Sequence, residues 1–271
     1  MLLDVLVIAS PCLLVAFGAL VSEYAGVMAI FLEGCINMGA FFCFAFSALT
    51  GSVALGIAGS CAVCMAYVFG AWLFVQKAKA DIYLVGAGLN ILSAGIIPVF
   101  SKLWFGTSGV VAAGIIEPSA FFVRGGSTLM CIAFASCFVF AMLKTPWGLA
   151  MRICGTQKDV VKAAGVKPEL LQCESWLAAS AFAALAGSVL AIRLQSFVPN
   201  ISSGKGWIAL AVVFLGRKNI FGVVLATLLF AAAEYASNRL QGLNIIKPAM
   251  LLAMPYIVAL LLFAVVPSKK R

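Results

Sequence analysis

Hydrophobic runs near or above about 18 residues recur from end to end of this 271-residue chain, and a water-soluble domain cannot absorb them. Wound as a helix at about 1.5 Å per residue, such a run matches the ~30 Å hydrocarbon core of a bilayer. Hydrophobic residues make up 64% of the chain and charged residues 10%, where soluble domains carry roughly 25% charged. The surplus apolar surface must therefore face lipid. The alternation of lipid-facing and lumen-facing residues that marks a membrane barrel is absent from the sequence. The expected fold is an all-α polytopic membrane protein with one transmembrane domain over residues 1–271.

Nine segments are predicted, at about 2–22, 27–49, 52–76, 82–104, 125–144, 175–194, 205–216, 219–236 and 248–266. The seventh is anomalous. In "SSGKGWIALAVVFLGRKNIFG" (202–222) only nine strongly apolar residues lie between Gly206 and Gly216. They cover roughly half of the hydrocarbon core. Charge argues that the chain crosses there all the same. With the N-terminus outside, the cytoplasmic connections and tail hold Lys77, Lys79, Lys144, Arg152, Lys158, Lys162, Lys167, Arg217, Lys218, Lys269, Lys270 and Arg271. The opposite side holds Lys102, Arg124, Arg193, Lys205, Arg239 and Lys247. Twelve cations against six obey the positive-inside rule with the C-terminus cytoplasmic, and removing the seventh crossing would break it. The net charge of +9 is then topological and calls for no nucleic-acid partner. Part of 195–205 is expected to enter the membrane as irregular backbone, which is tolerated only where protein buries it or a polar cavity solvates it.

The chain has no histidine, hence neither the usual general base nor the commonest metal ligand, and no nucleophile–base constellation suggests an enzyme. No metal site is expected. Cys61 and Cys64 form a C-x-x-C, but inside an apolar helix without a second pair they read as small packing residues.

The longest polar stretch lies at 145–174. Within it "TQKDVVKAAG" (156–165) reads as a short helix: Thr156 and Asp159 have capping-box spacing, Gly165 suits a left-handed end, and Pro168 prevents continuation. Val160, Ala163 and Ala164 form a small apolar stripe at helical spacing. So short a helix is unstable alone and must dock, either beneath its own transmembrane helices or on a cytoplasmic partner.

Among the membrane segments, Glu33 is costly unless it faces a cavity or a partner, with Asn37 one turn on. It can line a pathway or cap backbone at a break. Asn90 and Ser93 lie one turn apart and can bond between helices. Glu234 can pair with Arg239 or with a base of another chain. Trp207 and Phe214 share one face of the short segment and can stack on a ring-shaped solute or anchor at an interface.

Several stretches together resemble the permeases of bacterial ABC importers. They are "GKGWIALAVVFLGRKNIFG", "GTQKDVVKAAGV", "VSEYAGVMAIFLEGCINMGAF", "VGAGLNILSAG" and "MPYIVALLLFAV", in the family's order over nearly the whole chain. The likeness is greatest to the nucleoside and simple-sugar branch, related to ribose and branched-chain amino-acid permeases, and within it to the shorter subunit. The resemblance implies a type II-like permease fold in the bacterial inner membrane. It also implies a second permease paralogue, a cytoplasmic ATPase that holds ATP and Mg, and an extracytoplasmic binding protein or lipoprotein. Purine nucleosides are the implied substrate, with ribose or branched-chain amino acids as alternatives. Gly155, Thr156, Asp159, Val160, Ala163, Ala164 and Gly165 match the family's coupling helix. The chain has no G-x-x-x-x-G-K-[ST] of its own, so no nucleotide cofactor is expected in it. It departs from the family at Ala29-Ile30-Phe31, at Lys158 and at Ile220, and a phenyl ring in the break between the first two helices could alter the substrate path. An ion-coupled secondary transporter is the rival class; it would need paired intramembrane ionisable groups, for which only Glu33 and Glu234 are candidates.

Overall fold

The computed structural model describes residues 2–112 and 122–241. They form α1 (Leu2–Tyr24), α2 (Leu32–Thr50), α3 (Val53–Ala78), α4 (Ile82–Phe105), α5 (Ser127–Lys144), α6 (Pro146–Cys154), α7 (Lys158–Ala163), α8 (Pro168–Leu194), α9 (Lys205–Leu215) and α10 (Ile220–Gln241). A π-turn at Phe122–Gly126 precedes α5, and β1 (Val111–Ala112) pairs antiparallel with β2 (Ser196–Phe197). Seven helices, α1 to α5, α8 and α10, are long and apolar enough to cross a membrane, whereas α9 has 11 residues. The ninth predicted segment, 248–266, lies outside the described residues.

Two boundaries differ from expectation. The second segment begins at Leu32 rather than at residue 27. Gly26 is left-handed (φ +76°), Gly26 N–H donates to Glu23 O, and Val27 N–H donates to Ser22 O, which closes α1 and leaves 25–31 non-helical. The sixth segment begins at Pro168 rather than at 175, so the polar connection is 145–167. "PELLQCES" is too polar to count as a span. It is nevertheless a sound helix opening, with proline in the first turn and Glu169 near the positive end of the dipole. Helix α6 was not anticipated. Its signal is Thr145-Pro146: the threonine hydroxyl accepts from Gly148 N–H at 3.2 Å, and the proline opens the helix.

Helix α8 is the centre, packed against α1, α2 and α3. A Cβ on Gly187 would lie 2.0 Å from Ile36 O, so glycine is what lets α8 approach α2 this closely. Trp176 is fully buried there, meeting Phe31 edge-on at 4.9 Å and Trp72 at 5.4 Å. Phe31, the ring that departs from the family pattern, thus fills the core. Helices α3 and α4 instead expose Phe74, Leu84, Ile91 and Leu103, an outer apolar face suited to lipid. Cys61 and Cys64 sit between helices and donate their thiols to Ala181 O and Cys35 O.

Arg193, at the end of α8, stitches three helices. Its guanidinium donates to Val7 O (2.6 Å) and Ser10 Oγ (2.9 Å) of α1 and to Ser127 Oγ (3.1 Å) and Thr128 Oγ1 (3.0 Å) of α5. Lysine cannot reproduce that planar fork. Arg193→Lys is expected to cost about 2 kcal/mol, a drop of about 5 °C in the thermal unfolding midpoint of the detergent-purified protein.

Candidate functional site

The irregular segment expected before α9 is present. Gln195, Asn200, Ser203 and Gly204 all have positive φ, and Ile201 and Ser202 are buried. This segment delivers the N-terminus of α9 to the N-terminus of α2, and Glu33 joins them. Its Oε1 accepts from Gly204 N–H (2.8 Å) and from the Ser202 hydroxyl, and its Oε2 accepts from Gly206 N–H (2.8 Å). The first N–H groups of a helix have no partner within it, and its positive end favours an anion. A carboxylate from α2 meets both needs of α9. Asn37 completes the joint: its Nδ2 donates to Ser202 Oγ (2.8 Å), and its Oδ1 accepts from Ser202 N–H (3.1 Å). Asn90 of α4 grips the other side of α2, accepting from Gly34 N–H and donating to Ile30 O, each at 2.8 Å.

Glu33, Asn37, Asn90 and Ser93 line one cavity of about 310 Å³ together with Pro98, Pro199 and Asn200. The structure therefore brings three of the five pathway candidates together, with their polar atoms largely engaged by backbone. Trp207 and Phe214 lie elsewhere, on the outward face of α9, 50% and 39% exposed. The Lys218 ammonium sits 5.7 Å from the Phe214 ring centroid. Glu234 pairs with Lys205 at 2.9 Å, while Arg239 instead donates to the Tyr235 hydroxyl.

A second joint lies at the opposite end of α9. The Tyr24 hydroxyl donates to Lys218 O (2.7 Å), and the Lys218 ammonium pairs with Glu23. Gly155 N–H donates to Tyr24 O (2.9 Å), and Gln172 Nε2 donates to Ala25 O (3.3 Å). The segment that follows α6 is thereby fastened to the break between α1 and α2.

Helix α7 occupies the predicted place, with one correction at its start. The residue at the cap position is Gln157, one place later than Thr156, and no side chain caps the helix; the Thr156 hydroxyl donates instead to Ile153 O at the end of α6. Asp159 lies in the first turn. The end is as expected. Gly165 is left-handed (φ +80°), its N–H donates to Lys162 O, and Val166 N–H donates to Val161 O. Val161, 4% exposed, anchors the helix, while Val160, Ala163 and Ala164 are all exposed. The sequence reading missed Val161, Tyr24, Ser202 and Gly206. The first falls outside the apolar stripe, and the others acquire their roles from partners far along the chain.

Residues 1–266 match the family described as branched-chain amino acid transport system / permease component. The chain belongs to this permease family. It is 27% identical to the guanosine ABC transporter permease protein NupQ of Bacillus subtilis (strain 168), over 94% of this chain and 88% of that protein. It is 24% identical to "Putative glucose ABC transporter permease protein TsgC13" of Haloferax volcanii (88% and 76% covered). With the nucleoside ABC transporter permease protein NupC of Lactococcus lactis subsp. cremoris the figure is 21% (98% and 92%). The solved structure of PsaBC from Streptococcus pneumoniae in complex with Fab matches with a TM-score of 0.54 at 12% identity, covering 97% of this chain and 91% of that one, a likeness of fold. The permease is thus a non-enzymatic, multi-pass membrane component of an ABC transporter. Its short α9 and irregular 195–204 segment belong to a transport fold, where broken helices are a recurring device.

Proposed function

We propose that the permease forms half of the membrane pathway of an ATP-driven nucleoside importer, paired with a second permease paralogue. ATP and Mg belong to a separate cytoplasmic ATPase, and an extracytoplasmic binding protein delivers the solute. The observation that carries this reading is the bare face of α7. Val161 turns inward, Val160, Ala163 and Ala164 are left uncovered, and Gly155 ties the segment to the α1–α2 break. A partner that grips this face differently in its two nucleotide states would bias the membrane helices. An N-terminus outside is part of this reading, and it draws support from the gathering of the Tyr24 end of α1, α6, α7 and Lys218 at one end, with Arg152, Lys158, Lys162 and Arg217 among them. The nucleoside substrate draws support from NupQ and NupC, whose names give guanosine and nucleosides. An ion-coupled carrier is disfavoured, since Glu33 is occupied by backbone donors and Glu234 by Lys205.

Uptake into vesicles holding the assembled transporter tests the reading, with guanosine, ribose and leucine as solutes. Guanosine import is expected; import of ribose or leucine alone would refute the substrate. Ala164→Arg places a bulky charge on the bare face and is expected to lower both ATPase co-purification and uptake at least about 10-fold. Survival of both would refute the coupling role of α7.

A further inference from the structure

In the 310 Å³ cavity, the residues that look most like solute ligands are already spent. Both Glu33 oxygens accept from the α9 N-terminal segment, and Asn37 bonds to Ser202 through both ends of its amide. Asn90 bridges Ile30 and Gly34, and the Ser93 hydroxyl donates to Asn90 O at 2.7 Å. Asn200 differs. It lines the same cavity from the segment before α9, its Oδ1 lies a long 3.3 Å from a Ser202 hydroxyl that already donates to Glu33, and its Nδ2 donates to nothing among the described residues. Asn200 is exposed while its neighbours Ile201 and Ser202 are buried.

We propose that Asn200 is a solute-recognising residue of the permease, its carboxamide pairing with a neutral polar ring that presents a hydrogen-bond donor beside an acceptor, such as a nucleobase edge or a sugar diol. An amide holds both functions in one plane and can bond two groups at once. Among the described residues the cavity lining contains no lysine or arginine, and its one carboxylate is engaged by helix N–H groups, so a zwitterion or a phosphate finds no counter-ion in that lining. A volume of about 310 Å³ falls at the lower end of small-molecule sites, ~300–1,000 Å³. This inference deepens the proposed function and rests on it for the existence of a pathway here.

The left-handed backbone at Asn200 (φ +58°) offers a clean test, because asparagine occurs at such φ for conformational reasons alone. Glycine adopts that backbone without strain and deletes the amide. Aspartate keeps the size and Oδ1 while replacing the donor with a charge. Wild type, Asn200→Gly and Asn200→Asp are assembled with their partners in vesicles, and assembly is checked by co-purification of the ATPase. Import is then measured on whichever of guanosine, ribose and leucine the wild type carries. Recognition predicts that both variants lose about 10-fold or more in import rate while still assembling. A purely conformational role predicts that Asn200→Gly imports at the wild-type rate, which would overturn the assignment. Wild-type import of ribose instead of guanosine sinks the nucleoside reading but leaves Asn200 tested by the same variants. Import of leucine, or of none of the three, overturns both.

Discussion

Glu33→Ala is expected to unseat α9 and abolish transport. The substitution removes three accepted hydrogen bonds and deprives the Gly204 N–H and the buried Gly206 N–H of their carboxylate acceptor. Each bond to a charged group contributes roughly 1.5–3 kcal/mol, and a stranded buried donor costs about 1–3 kcal/mol. A net loss of about 4 kcal/mol is expected, a large share of the roughly 5–15 kcal/mol that holds a folded domain together. Thermal unfolding in detergent should show it directly, with uptake lost in parallel. Glu33→Gln keeps one acceptor oxygen but turns an amide NH2 toward N–H donors, so about half the loss should remain. Gly206→Ala attacks the joint from the other side, since its Cβ would sit 2.6 Å from Glu33 N and 2.8 Å from Glu33 Cα. These are backbone atoms that cannot step aside. Normal stability in all three variants would mean that α9 does not depend on this cap.

Gly155→Ala is expected to separate partner binding from transport. A Cβ there would lie 2.5 Å from Tyr24 O and 2.9 Å from Gly26 N, where the segment ahead of α7 meets the α1–α2 break. The break would have to move, and the 2.9 Å bond from Gly155 N–H to Tyr24 O would lengthen. The exposed stripe on α7 is untouched, so the ATPase should still co-purify while uptake falls at least about 10-fold. Ala164→Arg should lose both. Uptake by Gly155→Ala at the wild-type rate would show that this contact transmits nothing.

The membrane class and most spans were legible because hydrophobic length is a local property. The end of α7 was legible for the same reason, since Gly165 and Pro168 act on their own backbone. Its start lies one residue later than the capping-box spacing suggests, because Thr156 belongs to the turn that ends α6, where its hydroxyl donates to Ile153 O, and Gln157 takes the cap position. Glu33 stood out as an anomaly, yet its partner could not be read, because Ser202, Gly204 and Gly206 lie about 170 positions away and become donors only once α9 is placed. Trp207 and Phe214 share a face as their spacing required. Spacing does not say which way the face turns, and it turns outward, away from the cavity beside Glu33. The anchoring role of Val161 was hidden by the more regular apolar stripe beside it.

Helix α9 is gripped at one end by Glu33 and at the other by Tyr24 and Glu23, residues that flank the same short connection, 25–31. Rod and strap close a loop, so their lengths are not independent. One added turn would lengthen α9 by about 5.4 Å and pull it off one of its two grips unless the connection grew to match. Insertions in either element should be tolerated only in compensating pairs. The seven residues that look easiest to edit, a helix-free link between two long spans, are therefore a measured part whose length is dictated by a helix almost two hundred residues further along the chain.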